Sequence, residues 1–310
     1  MKKIFLFYFC ALSVTCFCQE DTVVNLAPIQ DKKSGAVERV PPIEVFYSQS
    51  LINAKTVEVL KKGVLEFRVN HGFGDVAGDN GGIERFFGLD NASDVRIGFQ
   101  LGLSDHLNVV AARAKGASIV QQLWELGLKY KFMSQDDKRP FSISAYANTV
   151  VSSMKASQAP NQENSFDDFS DRLSEVFQLL IARKIGKVSL QVSPTLVNRN
   201  FVTSGDDNTL FAIGGGARIP LSKKLVLIAD YFHSFRSDES KAVYRSQGIE
   251  LYDVFGVGLE ILTEGHIFHL NFTNATETLE NRFIPRTTTS WGKGQYRWAF
   301  TLSRNFTVFH

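Results

Sequence analysis

The amino-acid sequence predicts an all-β fold, a transmembrane antiparallel up-and-down β-barrel of about 12 strands. Three observations predict it. Period-two alternation of apolar and polar residues recurs from residue 63 to the end of the chain. The connections between the alternating runs are long and short in strict turn. The last run, 296–309, carries Tyr296, Trp298, Phe300, Leu302, Phe306 and Val308 on even positions, and Ala299, Thr301, Ser303, Asn305 and Thr307 on odd ones. Successive strand side chains point to opposite faces, so this run reads as a long strand with an aromatic face. In water such a strand invites aggregation. In a closed barrel every backbone group is paired and the apolar face meets lipid.

The elements follow in chain order. Lys2 and Lys3 precede an apolar run at 4–17, and polar sequence begins at Gln19. This has the form of a signal peptide at 1–18, too short for a spanning helix. Cleavage after Cys18 is the simplest expectation. Acylation of Cys16 or Cys18 is the rival, though Ser13, Val14 and Thr15 make a poor lipoprotein box. All three cysteines fall in this leader, so the mature chain has no disulfide and no cysteine metal site. Of 34 basic residues, the leader removes Lys2 and Lys3, and the remaining 32 balance 32 acidic ones. A balanced charge does not favour a nucleic-acid partner.

Residues 19–62 contain Pro28, Pro41 and Pro42 and no sustained period, and they read as a periplasmic N-terminal segment. Within it, 48–61 is compatible with a helical turn or with an early strand. The barrel domain is expected over 63–310. Its strands are expected at 63–71, 94–103, 107–113, 123–132, 141–151, 175–185, 188–198, 210–219, 225–235, 251–262, 266–274 and 296–309. Long connections near 72–93, 114–122, 152–174, 199–209, 236–250 and 275–295 alternate with short ones near 104–106, 133–140, 186–187, 220–224 and 263–265. Short periplasmic turns and longer extracellular loops are the habit of outer-membrane barrels. The sequence therefore predicts a protein of the outer membrane of a diderm bacterium, its termini periplasmic and its long loops extracellular. No later run approaches the ~18 apolar residues of a spanning helix.

Several runs resemble a Bacteroidota outer-membrane β-barrel family of unknown function. These are Leu65-Glu66-Phe67-Arg68-Val69-Asn70-His71-Gly72-Phe73-Gly74, then Phe86-Phe87-Gly88-Leu89-Asp90-Asn91, then Asp94-Val95-Arg96-Ile97-Gly98-Phe99. The ending 287–298, with Leu302-Ser303-Arg304-Asn305-Phe306, resembles the end of that family. Gly72 departs from the arginine expected after the histidine. The resemblance covers roughly 46–310 and implies an outer-membrane barrel. It supplies neither substrate nor catalytic residues.

With the apolar parity toward lipid, the lumen is expected to be lined by Glu66, Arg68, Arg96, Gln100, Glu125, Lys129, Lys131, Asp230, Glu260 and Arg297. Such a lining either selects solutes by charge and size or fills the interior with paired side chains. Eight strands are just filled by side chains and sixteen leave a channel, so twelve leave both open. Phe306 and Phe309 are the expected assembly signal for the barrel-insertion machinery. Outer-membrane lipid and that machinery are the expected partners. Arg304 interrupts the apolar parity, through snorkelling to the interface or through a bulge that turns Phe309 to lipid.

The function expected is a structural or porin-like barrel that passes a small solute. It is not expected to be an enzyme, and no cofactor or metal site is expected. The alternatives are an outer-membrane lipid hydrolase and a surface-binding barrel. His233-Ser234 and Asn70-His71 are adjacent pairs on opposite faces, so neither is preset for proton transfer. A surface-binding barrel would use an acidic loop at 161–171 and a basic aromatic one at 275–297. Gly214-Gly215-Gly216 lies inside a strand, with no GK[ST] sequence and no following helix, and reads as a bulge or as close backbone packing.

Overall fold

A computed structural model of the chain describes residues 42–309. The predicted leader, its cysteines and residues 19–41 lie outside the described residues. Twelve antiparallel strands close into one ring: β1 Val64–Asp75, β2 Ala92–Gly102, β3 Leu107–Ala114, β4 Leu123–Met133, β5 Ser142–Ser152, β6 Leu173–Ile185, β7 Val188–Arg199, β8 Thr209–Pro220, β9 Leu225–Phe235, β10 Val254–Leu262, β11 Ile267–Thr273 and β12 Arg297–Thr307. Each strand pairs with its sequence neighbours, and β12 pairs with β1. Strands of about 9–11 tilted residues cross a bilayer, and most of these are 11–13 residues long.

The alternation in sequence becomes an alternation of environment. Along β4, Trp124, Leu126 and Leu128 are 53%, 64% and 53% exposed, while Glu125 and Lys129 between and beside them are buried. Similar apolar ribs stand out from β6, β7 and β8, at Phe177, Leu190, Val192, Leu196, Phe211 and Ile213. An apolar surface of this extent needs a non-aqueous neighbour, and a ring without edges meets the requirement that every backbone group be paired in lipid. Among the described residues no helix is long and apolar enough to cross a membrane.

One end of the ring carries connections of two to eight residues and the other connections of eight to 23, so the sorting the sequence predicts holds except that 115–122 and 134–141 are equal in length. The first and last strands meet with Leu65 opposite Phe306 and Val69 opposite Leu302. The β1–β12 register is unbroken from Val64–Thr307 to Gly72–Ala299, and its single irregularity lies further along, between Gly72 and Asp75. No bulge therefore moves Arg304. It stays on the outward face opposite Phe67, with its guanidinium 5.1 Å from the Phe306 ring centre. Phe309 lies beyond the end of β12.

Two segments depart from the sequence expectation, and both fill the ring. Residues 45–60 lie inside the barrel rather than outside it in a periplasmic segment, and they form neither a helical turn nor a strand. The chain enters at the short-turn end, where Ile43 N–H donates to Gln135 O at 2.8 Å. It doubles back through a tight hairpin in which Leu51 N–H donates to Ala54 O at 2.8 Å, and Thr56 N–H to Gln49 O at 3.0 Å. It leaves at the same end, where Gly63 N–H donates to Gly102 O at 2.8 Å. Val45, Phe46, Leu51, Ile52 and Val57 pack on the inward-facing Val110, Leu180, Val226 and Ile228. Each such side chain contributes roughly 1.5–3 kcal/mol relative to exposure.

From the long-loop end, residues 274–296 fold inward instead of forming a free surface loop. Leu279, Phe283 and Ile284 are buried, and a short helix, α1 (Glu280–Phe283), sits against β6 and β7.

Closure of the ring generates a test. Truncation after Arg304 deletes the Asn305–Glu66, Phe306–Leu65 and Thr307–Val64 pairings. The full chain is expected to show heat-modifiable migration on gels and the truncated chain to lose it. Retention of that migration would contradict the importance of this seam.

Candidate functional site: a lumen closed from both ends

All ten lumen candidates face inward and are buried, and the structure joins most of them to the hairpin. Gln100 donates to the Gln49 side-chain oxygen at 2.8 Å, and Lys129 to the same atom at 3.0 Å. Lys129 also donates to Thr56 O at 3.2 Å, and Lys131 pairs with Glu58 at 2.6 Å. Glu58 in turn accepts the backbone N–H groups of Val45 and Phe46, at 2.9 and 3.2 Å. Arg68 is held by its strand neighbour Glu66 at 2.9 Å and reaches Ser48 Oγ at 2.7 Å. Lys129 has no measurable exposure, and its hydrogen-bond partners are neutral oxygens of the hairpin.

The hairpin tip hangs on Asp230. Its Oδ2 accepts the backbone N–H groups of Asn53 and Ala54 at 2.6 and 2.8 Å, and its Oδ1 accepts Asn53 Nδ2 at 2.9 Å. The wall is cut away to admit the tip. A β-carbon at Gly216 would lie 2.5 Å from Leu51 Cδ1. One at Gly256 would lie 2.7 Å from Asp230 Oδ1 and 2.8 Å from both Ile52 and Asn53. The close packing expected of the glycine triplet is therefore packing against the hairpin and, at Gly214, against the Phe232 ring.

Midway through the ring the two insertions meet. Lys55 of the hairpin lies 3.5 Å from Glu280 of α1 and 3.9 Å from Glu125 of the wall. Glu125 is also held by Arg96 at 2.6 Å, by the Tyr146 hydroxyl and by Asn148 at 3.1 Å. The last candidates pair with other parts of the wall. Glu260 lies 3.2 Å from Arg218 and 3.4 Å from His269, and Arg297 is 2.5 Å from Asp75. The sequence reading missed Lys55, Glu58, Gln49 and Glu280, since all sit on segments without a period.

At the long-loop end a second set of charges ties the loops together. Glu163 meets Arg282 at 3.0 Å, Arg286 at 2.9 Å and Arg199 at 3.9 Å. Asp206 meets Arg199 at 3.0 Å, Ser240 Oγ at 2.6 Å and the Tyr244 hydroxyl at 2.8 Å, and it also contacts Arg236. Ser240 and Tyr244 belong to a helix, α2 (Asp238–Ser246), capped by Ser237 Oγ accepting from Ser240 N–H at 3.1 Å. Burial pushes both carboxyls up, but the surrounding guanidiniums outweigh it and hold both below the ordinary carboxylate range.

The adjacent His233-Ser234 and Asn70-His71 pairs stay apart, as opposite strand faces require. His233 faces outward with Nδ1 2.9 Å from Asp253, whose other oxygen accepts the Tyr231 hydroxyl. Asn70 turns inward to Thr301 Oγ1 at 3.0 Å. Among the described residues no histidine ring is hydrogen-bonded to a serine hydroxyl.

An edgeless ring with an apolar exterior, a polar interior and loops sorted by length defines a membrane β-barrel with the architecture of outer-membrane porins and channels. The chain belongs to the membrane bound beta barrel domain family DUF5777, whose model matches residues 46–306 and so includes the hairpin. Among solved structures it is similar to the COG4313 outer membrane channel from Pseudomonas putida F1, at 10% identity and a TM-score of 0.50. That match covers 81% of this chain and 98% of that one. The KdgM porin matches at 9% identity with a TM-score of 0.46, over 78% of this chain and 99% of that one. The NanC porin matches at 8% with a TM-score of 0.45, over 78% and 98%. Likeness at these identities concerns the fold. No curated protein matches the chain in sequence.

Two tests follow. Asp230→Ala leaves two buried backbone N–H groups without an acceptor, at about 1–3 kcal/mol each. Hydrogen exchange is expected to accelerate at 50–56 while β1–β12 keep their protection; unchanged protection at 50–56 would contradict the anchor. The second test concerns pH. A carboxylate whose folded pKa is depressed stabilises above its unfolded value and loses that contribution as pH falls through the folded one. Glu163 and Asp206 therefore hold the loops at neutral pH and release them below about pH 4. Glu277, raised by burial, works in the opposite sense. Exchange in 274–296, corrected for intrinsic rate, is expected to rise between pH 7 and pH 3. Flat protection over that range would remove the role given to this cluster.

Proposed function

We propose that this protein is a channel of the outer membrane of a diderm bacterium, closed at rest by its own chain, which passes a small polar solute when the closure is relieved. The observation that carries this reading is the meeting of the hairpin and the inward loop at Lys55 and Glu280, each entering from its own end. A barrel needed only as a structural element has no use for two separate closures. Membrane barrels with polar interiors serve as water-filled channels or are plugged by internal segments. The hydrogen bonds and ion pairs that set the hairpin's register are ones that water can replace, so its removal is opposed chiefly by the apolar contacts of Val45, Phe46, Leu51, Ile52 and Val57.

In this reading the short turns and both termini lie on the periplasmic side and the long loops outside, in keeping with the loop habit of such barrels. The apolar ribs contact outer-membrane lipid. The insertion machinery is the expected assembly partner, with Phe306 and Phe309 as its signal. A Bacteroidota source accords with the sequence resemblance. No catalytic role is assigned.

Planar bilayers supply the test. The full chain is expected to give rare or no openings, and a variant with 46–58 replaced by a glycine-serine linker is expected to give steady single-channel current. The triple variant Asp230→Ala, Lys131→Ala, Lys55→Ala, which keeps the chain length, provides a second opening if the deletion impairs folding. Equal conductance of full chain and both variants would overturn the closure. Absence of current from all three would overturn the channel.

A further inference from the structure

Above the closed lumen, the loops enclose a vestibule of about 750 Å³, within the ~300–1,000 Å³ typical of small-molecule sites. Its lining includes Ser93, Lys115, Ser118, Arg286 and Thr288. It continues downward. Ser93 and Thr276 also border a polar cavity of about 40 Å³ beside the hairpin tip, lined further by Asn53 and Arg297. Ser93 Oγ is buried and has no hydrogen-bond partner in the protein.

The charges around the vestibule do not cancel. Of the charged side chains that line it, Lys115, Arg286 and Lys293 are cations and Glu250 is a carboxylate, while the buried carboxylate of Asp94 nearby accepts from the neutral donors of Gly116 and Thr278. Glu163 is shared by three guanidiniums, and among the described residues it takes one N–H of Arg286 and leaves the others without a protein acceptor. Lys115 is an unpaired cation of the lining. Its ammonium rests on the carbonyls of Ala92 and Ser93, at 3.3 and 3.2 Å, with no carboxylate within salt-bridge distance among the described residues. Lys293 contributes nothing to the excess, because Glu250 holds it at 2.7 Å.

We infer that the vestibule is a binding site for a small hydroxylated organic anion, whose carboxylate or phosphate takes the free donors of Lys115 and Arg286 while its hydroxyls take Thr276 and Thr288. Charge-assisted bonds of this kind are the strong ones. The surplus positive charge opposes a cationic solute, and hydroxyl and guanidinium walls offer little to an apolar one. The inference deepens the channel reading and rests on it for the route by which the solute would proceed. Binding itself is an equilibrium property of the closed protein.

The experiment is calorimetric titration of the full chain in detergent with three probes of similar skeleton and different charge, namely gluconate, glucose and glucosamine. Gluconate is expected to bind at least about tenfold more tightly than glucose, with no heat of binding from glucosamine. Lys115→Gln is expected to weaken gluconate by about tenfold while leaving the thermal unfolding temperature unchanged. Raising the salt concentration is expected to weaken it further. Equal binding of the three probes, no gluconate binding at about 10 mM, or indifference to Lys115→Gln at preserved stability would each overturn the site. Conductance does not enter these readouts, so a failed site and a failed channel are told apart.

Discussion

A ring of twelve strands encloses more room than its own wall side chains fill, and the interior of this protein is organised around that surplus. An eight-stranded ring could close on its own residues, and a sixteen-stranded one would stand open. Here the balance is met by two stretches of irregular chain, one from each end. Irregular backbone is tolerated at membrane depth only where protein or water surrounds it. The wall accordingly supplies acceptors and donors to the hairpin backbone: Asp230 to two N–H groups, Gln191 to Val57 N–H at 2.9 Å, and Ser144 and Ser189 to the carbonyls of Val57 and Val45.

The buried charges then decide position more than stability. A buried ion pair gains little over an apolar pair of the same shape, while removing one partner costs about 3–5 kcal/mol. A hairpin displaced by one residue would strand Lys131 from Glu58 and Lys55 from its two carboxylates at once. The apolar cluster around Phe46 and Leu51 supplies adhesion, and the charges supply register. This division explains how a segment without secondary-structure period can occupy a single place.

The strands and their order were legible in the sequence because lipid imposes one rule on every outward position. β9 runs over 225–235 in sequence and structure alike, and the last strand closes the ring on the first. The hairpin was not legible, because its neighbours are a curved polar wall and no repeating face. Indirect traces were present. β9 is apolar on both parities, with Val226 and Ile228 inward as well as Leu225 and Leu227 outward, which a water-filled lumen would not favour. Gly214, Gly216, Gly256 and Gly258 leave the inward face of β8 and β10 bare, which marks close approach by something else. The inward turn of 274–296 had a similar trace in Leu279, Phe283 and Ile284, apolar residues inside a segment otherwise read as surface. The partners of the candidate residues were the part least available, since ion pairs between a wall and a loop leave no spacing in sequence.

The hairpin is joined directly to β1 through Lys61, Lys62 and Gly63. In the proposed open state it would therefore remain tethered to the mouth it blocks. Its return is an intramolecular event, governed by an effective concentration in the millimolar range for a short tether and independent of how many copies the membrane holds. A free peptide of the same sequence would have to reach that concentration to compete with it. The proposed opening of each barrel would in this sense be a private equilibrium, set by its own chain.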